Sequence, residues 1–206
     1  MVGGGSGQRF GTLKQYEPLG DSRVIDHARA VAEATSHGVV VVVPADDAAR
    51  EHAVSGGATR SDSVRAGLAA VPDDATIICV HDAARPFATP ELFRSVIAAV
   101  AAGADGAIPG VAVTDTIKVV ADGAVVSTPD RSSLVAVQTP QAFRAAVLRR
   151  AHHDGDASTD DAALVERLGG RVVVVDGDPR NRKITHPDDL EWARRQLVAD
   201  LTGPAS

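Results

Sequence analysis

A glycine-rich segment at residues 3–9 is the first part of this sequence whose composition suggests chemistry. It reads Gly-Gly-Gly-Ser-Gly-Gln-Arg and is followed by Phe10. The glycines let the backbone turn sharply and present successive N–H groups to an anion. The segment is not a Walker A loop, because no Gly-Lys-Ser/Thr closes it, and Phe10 occupies the place of the third small residue of a dinucleotide fingerprint. It predicts a phosphate-binding loop of another kind, with a flexible N-terminal linker as the alternative.

Lysine usage points to the same chemistry. Only Lys14, Lys118 and Lys183 are lysines among 21 basic residues, so arginine fills nearly every ordinary surface position. A compact ammonium group suits a point contact with one phosphate oxygen, whereas a guanidinium group prefers planar, bidentate partners. Lys14 and Lys183 are therefore the candidate phosphate contacts, and chance retention of solvated lysines is the alternative.

A polar segment, His81-Asp82-Ala83-Ala84-Arg85-Pro86, directly follows the apolar run 76–80. Its side chains should lie at the carboxyl end of a central strand, where open α/β sheets bind ligands. Asp82 is a candidate Mg²⁺ ligand, since one protein carboxylate can suffice beside a triphosphate. Arg85 could orient Asp82 or bind an anion, and His81 is predicted to be structural. The alternative is a surface turn that carries an ordinary salt bridge.

Further polar segments read as capped helix starts, namely 56–63, Thr139-Pro140-Gln141 and Thr159-Asp160-Asp161. The free N–H groups of the first segment could also bind a base edge or a phosphate. The tract 176–185 leaves the last predicted strand with a turn and returns Lys183 to the same end of the sheet. His152 and His153, at a predicted helix end, should be solvated or C-capping.

The elements that must position these residues form an α/β pattern, because apolar runs of strand length alternate with amphipathic stretches of helix length. Strands are predicted at 38–43, 76–80, 106–109 and 171–175, and helices at 23–35, 61–71, 90–102, 141–152, 160–168 and 187–201. Two β-rich arms, 116–120 and 124–128, flank Ala121-Asp122-Gly123 and predict a hairpin. This hairpin either covers an edge of its own domain or pairs with another subunit.

Composition and length set the outer limits. The 206 residues fit one domain, predicted at 1–201 with an arm at about 111–131 and a disordered tail at 202–206. A net charge of −6 and only six aromatic residues argue against nucleic-acid binding. The apolar runs are too short to cross a membrane, and no signal peptide is evident, which predicts a cytoplasmic protein. The single cysteine, Cys79, is predicted to be a buried thiol.

Taken in order, these motifs resemble those of the 2-C-methyl-D-erythritol 4-phosphate cytidylyltransferases over nearly the whole chain. The most specific combination is His81 to Pro86 with Asp115-Thr116-Ile117-Lys118 and Thr139-Pro140-Gln141. The resemblance implies a Rossmann-like three-layer fold, a mostly parallel sheet with helices on both faces, and a protruding β-hairpin that forms a homodimer. It implies transfer of the cytidylyl group of CTP to methylerythritol phosphate with Mg²⁺, in non-mevalonate isoprenoid precursor biosynthesis.

The resemblance also assigns roles to individual residues. Catalytic contacts with the triphosphate would come from Arg9, Lys14 and Lys183, and Asp82 would bind the metal. The nucleotide would be bound by Gly3, Gly4, Gly5, Ser6, Gly7, Gly57, Arg60, Ser63 and Ala83. The acceptor would be bound by Arg85, Thr116, Arg131, Thr139 and Thr159, with Thr116 and Arg131 reaching a neighbouring subunit's site. The acceptor phosphate is already ionised, so no general base is needed.

Two departures from the family pattern stand out. Leu13 replaces the proline that many relatives have before Lys-Gln, and only Met1 and Val2 precede the glycine-rich segment. We therefore expect a truncated first strand, either because translation starts further upstream or because the enzyme is weakened by a loop without its anchor. The rival functions are a pentitol (ribitol) 5-phosphate cytidylyltransferase and a catalytically weak CTP-binding module.

Overall fold

The computed structural model describes residues 1–4, 10, 13–153, 158 and 160–202, without the side chains of 201 and 202. The strands are β1 (Pro18–Leu19), β2 (Ser22–Arg23), β3 (Val42–Val43), β4 (Val54–Ser55), β5 (Ile77–Val80), β6 (Gly106–Ala112), β7 (Val119–Ala121), β8 (Ala124–Ser127), β9 (Val135–Val137), β10 (Gln141–Arg144) and β11 (Val172–Asp176). The helices are α1 (Val24–Thr35), α2 (Ala45–Ala48), α3 (Arg60–Ala70), α4 (Pro90–Ala101), α5 (Ala145–Ala151), α6 (Asp161–Arg167) and α7 (Pro187–Thr202), with 3₁₀ turns at Lys14–Tyr16 and Arg131–Ser133.

The main sheet has the order β11-β6-β10-β5, with β9 paired to β6. Strand β11 runs parallel to β6, and β10 runs antiparallel to both β6 and β5. Beyond β5, Val2 forms parallel bridges with both Asp82 and Val42, and β3 in turn pairs in parallel with β4. The predicted α/β fold is confirmed, with a mixed sheet that contains parallel strands, and residues 1–3 join its two halves.

The first segment is short, as expected, yet it is hydrogen-bonded on both sides. The N–H of Val2 donates to the His81 carbonyl at 2.8 Å, and the N–H of Gly3 donates to the Val42 carbonyl at 2.7 Å. The Val2 carbonyl accepts the N–H of Ala83 at 3.0 Å. These bonds fix the backbone at the entrance to the glycine-rich loop, so residues 1–3 act as its anchor.

Helices cover both faces of the sheet, which confirms the three-layer architecture. The alternation of side chains along β5 places Ile78 and Val80 in a core with residues of α3, α5 and α6, while Ile77 and Cys79 face α4. Burial raises the pKa of the Cys79 thiol to about 12, in line with an inert packed cysteine. Within the described residues, none of the helices combines the length and apolar character that a membrane span requires.

The predicted helix over 141–152 is wrong in its first turn. Residues 141–144 form β10 after a cis Thr139–Pro140 bond, and the helix begins at Ala145. The Phe143 side chain is fully buried in the core beside α5 and α6, and its backbone hydrogen bonds to β5 and β6 replace those of a helix turn. The strand predicted over 38–43 is also shorter in the structure, where only its last two residues, Val42–Val43, form a strand.

The predicted hairpin is confirmed as β7 and β8. Asp122 and Gly123 form its turn with φ values of 50° and 76°, and Ala121 faces Ala124. Glycine at the second position allows this left-handed backbone without strain. In the described part of the chain, the two strands form a sheet of their own and do not extend the main sheet.

Phe143 provides a test of this core assignment. We expect Phe143→Ala to lower the free energy of unfolding by about 3–5 kcal/mol, because it leaves a cavity in the core between the sheet and helices α5 and α6. The control is Arg94→Ala, which removes one partner of an exposed pair with Glu91 and should cost less than about 1 kcal/mol. Urea denaturation measures both, and similar losses in the two variants would contradict the assignment.

Candidate active site

The centre of the site is Asp82, which lies just beyond β5 at the carboxyl end of the strand. Its backbone N–H donates to Thr139 Oγ1 at 3.0 Å, and the side chain is largely buried, since only 8% of the residue is exposed. Thr139 directly precedes the cis bond that leads into β10. Because β10 is antiparallel to β5, its start meets the end of β5, and the sheet brings Thr139 to Asp82.

Three cations surround the Asp82 carboxylate. Lys183 Nζ donates to Oδ2 at 2.7 Å, while Arg60 Nε lies 3.9 Å from Oδ1 and Arg85 Nε lies 3.9 Å from Oδ2. Burial raises the pKa of this carboxyl group, but the attraction of the cations outweighs burial and lowers the pKa to about 2. Asp82 is therefore ionised at neutral pH, and the surrounding positive charge exceeds its single negative charge.

Lys183 reaches Asp82 on the loop between β11 and α7. The fully buried Asn181 holds this loop, because its Nδ2 donates to the Thr139 carbonyl at 2.8 Å and to Gln138 Oε1 at 3.3 Å. Gln138 Nε2 in turn donates to the Asp178 carbonyl at 2.8 Å. The sequence prediction that Lys183 returns to the strand ends is confirmed. The buried amides that fix its position were not predicted from sequence.

Arg85 is anchored to the same loop. Its Nη1 donates to the Asn181 carbonyl at 2.7 Å, and burial lowers the pKa of its guanidinium group despite the attraction of Asp82. An open pocket of about 410 Å³ adjoins this anchor and is lined by Arg85, Val137, Gln138, Arg182 and Lys183, among others. Its cations and apolar wall suit a small ligand that carries a phosphate.

The start of the glycine-rich loop lies tightly against the start of α3. A Cβ atom on Gly4 would come within 2.9 Å of Ser63 Oγ, and one on Gly3 within 3.2 Å of the Ala83 side chain. Ser63 Oγ accepts the N–H of Gly57 at 3.2 Å. The structure thus brings together these five predicted nucleotide-binding residues, and any larger side chain at Gly4 would collide with Ser63.

The far end of the loop returns to its beginning. Gln15 is buried and its Nε2 donates to the Gly3 carbonyl at 2.9 Å, which places the turn that starts at Lys14 beside the loop entrance. The predicted ligands Gly5, Ser6, Gly7 and Arg9, and the predicted acceptor contact Thr159, lie outside the described residues.

Two predicted acceptor contacts are not gathered at Asp82 within this chain. Thr116 and Arg131 are exposed, and Arg131 Nη1 donates to the Thr114 carbonyl at 2.9 Å beside the hairpin. No contact in the described part of the chain joins either of them to Asp82. The role of these two residues at a neighbouring subunit's site stays a prediction.

A buried charge chain at the edge of the site was not predicted from sequence. Arg60 Nη2 donates to Asp161 Oδ2 at 2.7 Å, and His152 Nε2 lies 3.0 Å from Asp161 Oδ1. Burial raises the pKa of Asp161, but the hydrogen bonds and charges of His152 and Arg60 lower it overall. His152 ends α5 as expected for a C-capping residue, yet it is buried. In the sequence, Asp161 is recognisable only as an acidic first-turn residue.

Comparison with known proteins identifies the family. The family model described as IspD, 2-C-methyl-D-erythritol 4-phosphate cytidylyltransferase, matches residues 1–198. The chain belongs to this family. A member from Syntrophotalea carbinolica is 44% identical over 219 residues, covering 94% of this chain and 92% of that protein.

Other relatives carry more than this unit. A bifunctional enzyme IspD/IspF from Nitratidesulfovibrio vulgaris is 42% identical over 218 residues, covering 92% of this chain but 55% of that protein. The chain thus spans about half the length of this bifunctional relative. Among solved structures, a 4-diphosphocytidyl-2C-methyl-D-erythritol synthase from Anaerococcus prevotii aligns with a TM-score of 0.84 at 27% identity, covering 96% of this chain and 95% of that one.

His81 provides a test of the buried centre. It is 1% exposed, Thr139 Oγ1 lies 3.0 Å from its Nδ1, and burial lowers its pKa from 6.5 to about 3. As the pH falls below 6.5, the unfolded chain binds a proton that the folded protein excludes, so stability falls. Between pH 6.5 and pH 5, this residue should lower the free energy of unfolding by about 2 kcal/mol. In urea denaturation, the free energy of unfolding of His81→Gln should fall less on acidification than that of the wild type. An equal pH dependence in the variant and the wild type would refute the assignment.

Proposed function

We propose that this protein transfers the cytidylyl group of CTP to 2-C-methyl-D-erythritol 4-phosphate, giving 4-diphosphocytidyl-2-C-methyl-D-erythritol and pyrophosphate. The observation that carries the proposal is the ionised Asp82 in contact with Lys183 and flanked by Arg60 and Arg85, at the end of β5. A single carboxylate among several cations suits a triphosphate with its metal ion better than a neutral substrate. Family membership supports the same donor and acceptor.

The reaction follows from charge and position. An oxygen of the acceptor phosphate attacks the α-phosphorus of CTP in line, and the bond from that phosphorus to the β-phosphate oxygen breaks. The leaving pyrophosphate keeps the electron pair, and no proton transfer is needed because the attacking phosphate is already ionised. Lys183, with Lys14 and Arg9, would neutralise charge that develops on the transferring group and on pyrophosphate. The chain contributes orientation and electrostatic stabilisation.

Magnesium is proposed as the metal, with Asp82 as its protein ligand. The carboxylate is ionised and lies at the site, and the described residues contain no cluster of three or more His, Cys, Asp or Glu that could hold a metal ion. Mg²⁺ commonly binds to one or two carboxylates and completes its shell with phosphates and water, so this donor set fits. When bound, Mg²⁺ would polarise the phosphate oxygens and offset their charge.

The acceptor is proposed to bind in the pocket beside Arg85 and Lys183, with Thr139 and Thr159 as further contacts. Thr116 and Arg131 would contribute from a second copy of the chain, which makes the active form a homodimer. Support comes from the hairpin, where Val120, Val125 and Val126 are 57%, 61% and 64% exposed. An arm this apolar is typical of an interaction surface. With CTP as donor, the enzyme is proposed to act in the cytosol.

The decisive assay is pyrophosphate release from CTP and Mg²⁺ with methylerythritol phosphate, beside ribitol 5-phosphate and a mixture without acceptor. We expect release only with methylerythritol phosphate. Lys14→Ala should lower turnover by about 10²-fold or more, because it removes a charge that stabilises the transition state. Arg94→Ala, on the exposed face of α4, is the control and should turn over like the wild type.

Each other outcome of the assay has a distinct meaning. Preference for ribitol phosphate would establish the pentitol-phosphate reaction instead, and CTP binding without pyrophosphate release would establish a binding module. Near-native turnover by Lys14→Ala would refute the role of that lysine.

The arm can be tested separately by sedimentation velocity. We expect Val120→Asp with Val126→Asp to convert a dimer into a monomer, since a buried carboxylate without a partner is costly. Val198→Asp, on α7, changes a similarly exposed valine and should leave the dimer intact. A wild-type monomer at micromolar concentration, or a dimer that persists in the double variant, would contradict this assembly.

A further inference from the structure

Arg60 lies between two carboxylates that come from different elements. Its Nη2 donates to Asp161 Oδ2 at 2.7 Å, while its Nε lies 3.9 Å from Asp82 Oδ1. The close pair with Asp161 fixes the guanidinium group, and the contact with Asp82 is loose. Arg60 therefore interacts more closely with Asp161 than with Asp82.

We propose that Asp161, supported by His152, is a positioning residue that holds Arg60 at the edge of the nucleotide site and away from Asp82. The inference rests on the proposed function, because positioning Arg60 matters only if the site binds the triphosphate of CTP. Asp161 and His152 act through Arg60 and do not themselves touch the substrate.

Both oxygens of Asp161 are engaged. Oδ2 accepts from Arg60, and Oδ1 lies 3.0 Å from His152 Nε2, while the residue is 1% exposed. Asp161 is the first residue of α6, and His152 follows the last residue of α5, so the pair joins the ends of two helices. This rigid support gives Arg60 a single favoured position.

Stability alone does not account for this arrangement. Taking two charges out of water is costly, and a buried ion pair often contributes no net stability compared with apolar residues of similar volume. Arg60, Asp161 and His152 are nevertheless brought together from three elements, next to the functional Asp82. Placing the charge of Arg60 at the site explains why these three residues are buried together there, whereas packing alone does not.

The consequence of losing Asp161 follows from the same distances. Within the described residues, Asp82 is the other carboxylate within 4 Å of the Arg60 guanidinium group. Without the charge of Asp161, Arg60 would move toward Asp82 and compete there with Lys183. This shift would draw Arg60 away from the nucleotide and place a second close cation on the carboxylate that the site needs.

The test compares CTP kinetics in three variants at saturating acceptor. Asp161→Asn keeps the shape of the side chain and removes its charge, and should raise the KM for CTP about tenfold, as expected for loss of a charged hydrogen bond. Asp161→Glu keeps the charge and should recover most of the affinity. Val165→Ala, in the core face of α6, is the stability control and should lower Tm without raising the KM for CTP.

His152 provides an independent variant if Asp161→Asn folds poorly. His152→Leu removes the hydrogen-bonding group from Asp161 and should raise the KM for CTP about threefold, because it loses one hydrogen bond that orients the carboxylate. His152→Gln can still donate to the carboxylate and should remain close to the wild type. Equal KM values in Leu and Gln variants would overturn the role of His152.

A double-mutant cycle separates positioning from packing. In an Arg60→Ala background, Asp161→Asn should have no further effect on CTP affinity, since its effect passes through Arg60. Calorimetric titration of CTP without acceptor provides the readout and requires no turnover. Additive losses in the cycle, or unchanged CTP affinity in Asp161→Asn alone, would overturn the inference.

The outcomes distinguish this inference from the proposed function. A wild type that releases no pyrophosphate with any acceptor would refute the function, while the titrations would still test Asp161. A wild type that turns over normally beside an Asp161→Asn variant with the same CTP affinity would refute only the inference.

Discussion

The rest of the structure depends on the buried charge of Asp82. A carboxylate removed from water is costly unless charges or hydrogen bonds compensate for it. Here three cations do so: Arg60 at the start of α3, Arg85 three residues after Asp82, and Lys183 on the loop before α7. The same excess of positive charge that keeps Asp82 ionised creates the attraction for a polyphosphate. Folding and ligand binding therefore make use of one electrostatic arrangement.

The antiparallel direction of β10 makes this arrangement possible. Because the strand begins where β5 ends, Thr139 lies against the backbone of Asp82, and its carbonyl accepts from Asn181. The buried Asn181 then fixes the loop that carries Lys183. Through its reversed direction, β10 thus connects the centre of the site to a residue 101 positions away in the sequence.

Sequence patterns predicted much of this fold and failed where long-range contacts determine the local structure or bring charged residues together. The apolar runs of strand length located β5 and β11, and the Asp-Gly turn located the hairpin, because these signals are local. Residues 141–144 were predicted as helix because Gln-Ala-Phe-Arg has no strong local preference for a strand, and pairing on both sides determines its conformation. Asp161 and His152 gave no distinctive signal, since their charges meet Arg60 only after α3, α5 and α6 pack.

The sequence by itself determined the chemistry available to this protein: a glycine-rich segment, three sparingly used lysines, and an aspartate placed at the end of an apolar strand. These features depend on residue type and short spacing, which a linear sequence records. Only the tertiary structure decided that Lys183 and Arg60 approach Asp82, and that Asp161 holds Arg60. Such pairings depend on strand order and helix packing. They also depend on burial, which strengthens the interaction between two charges by excluding water.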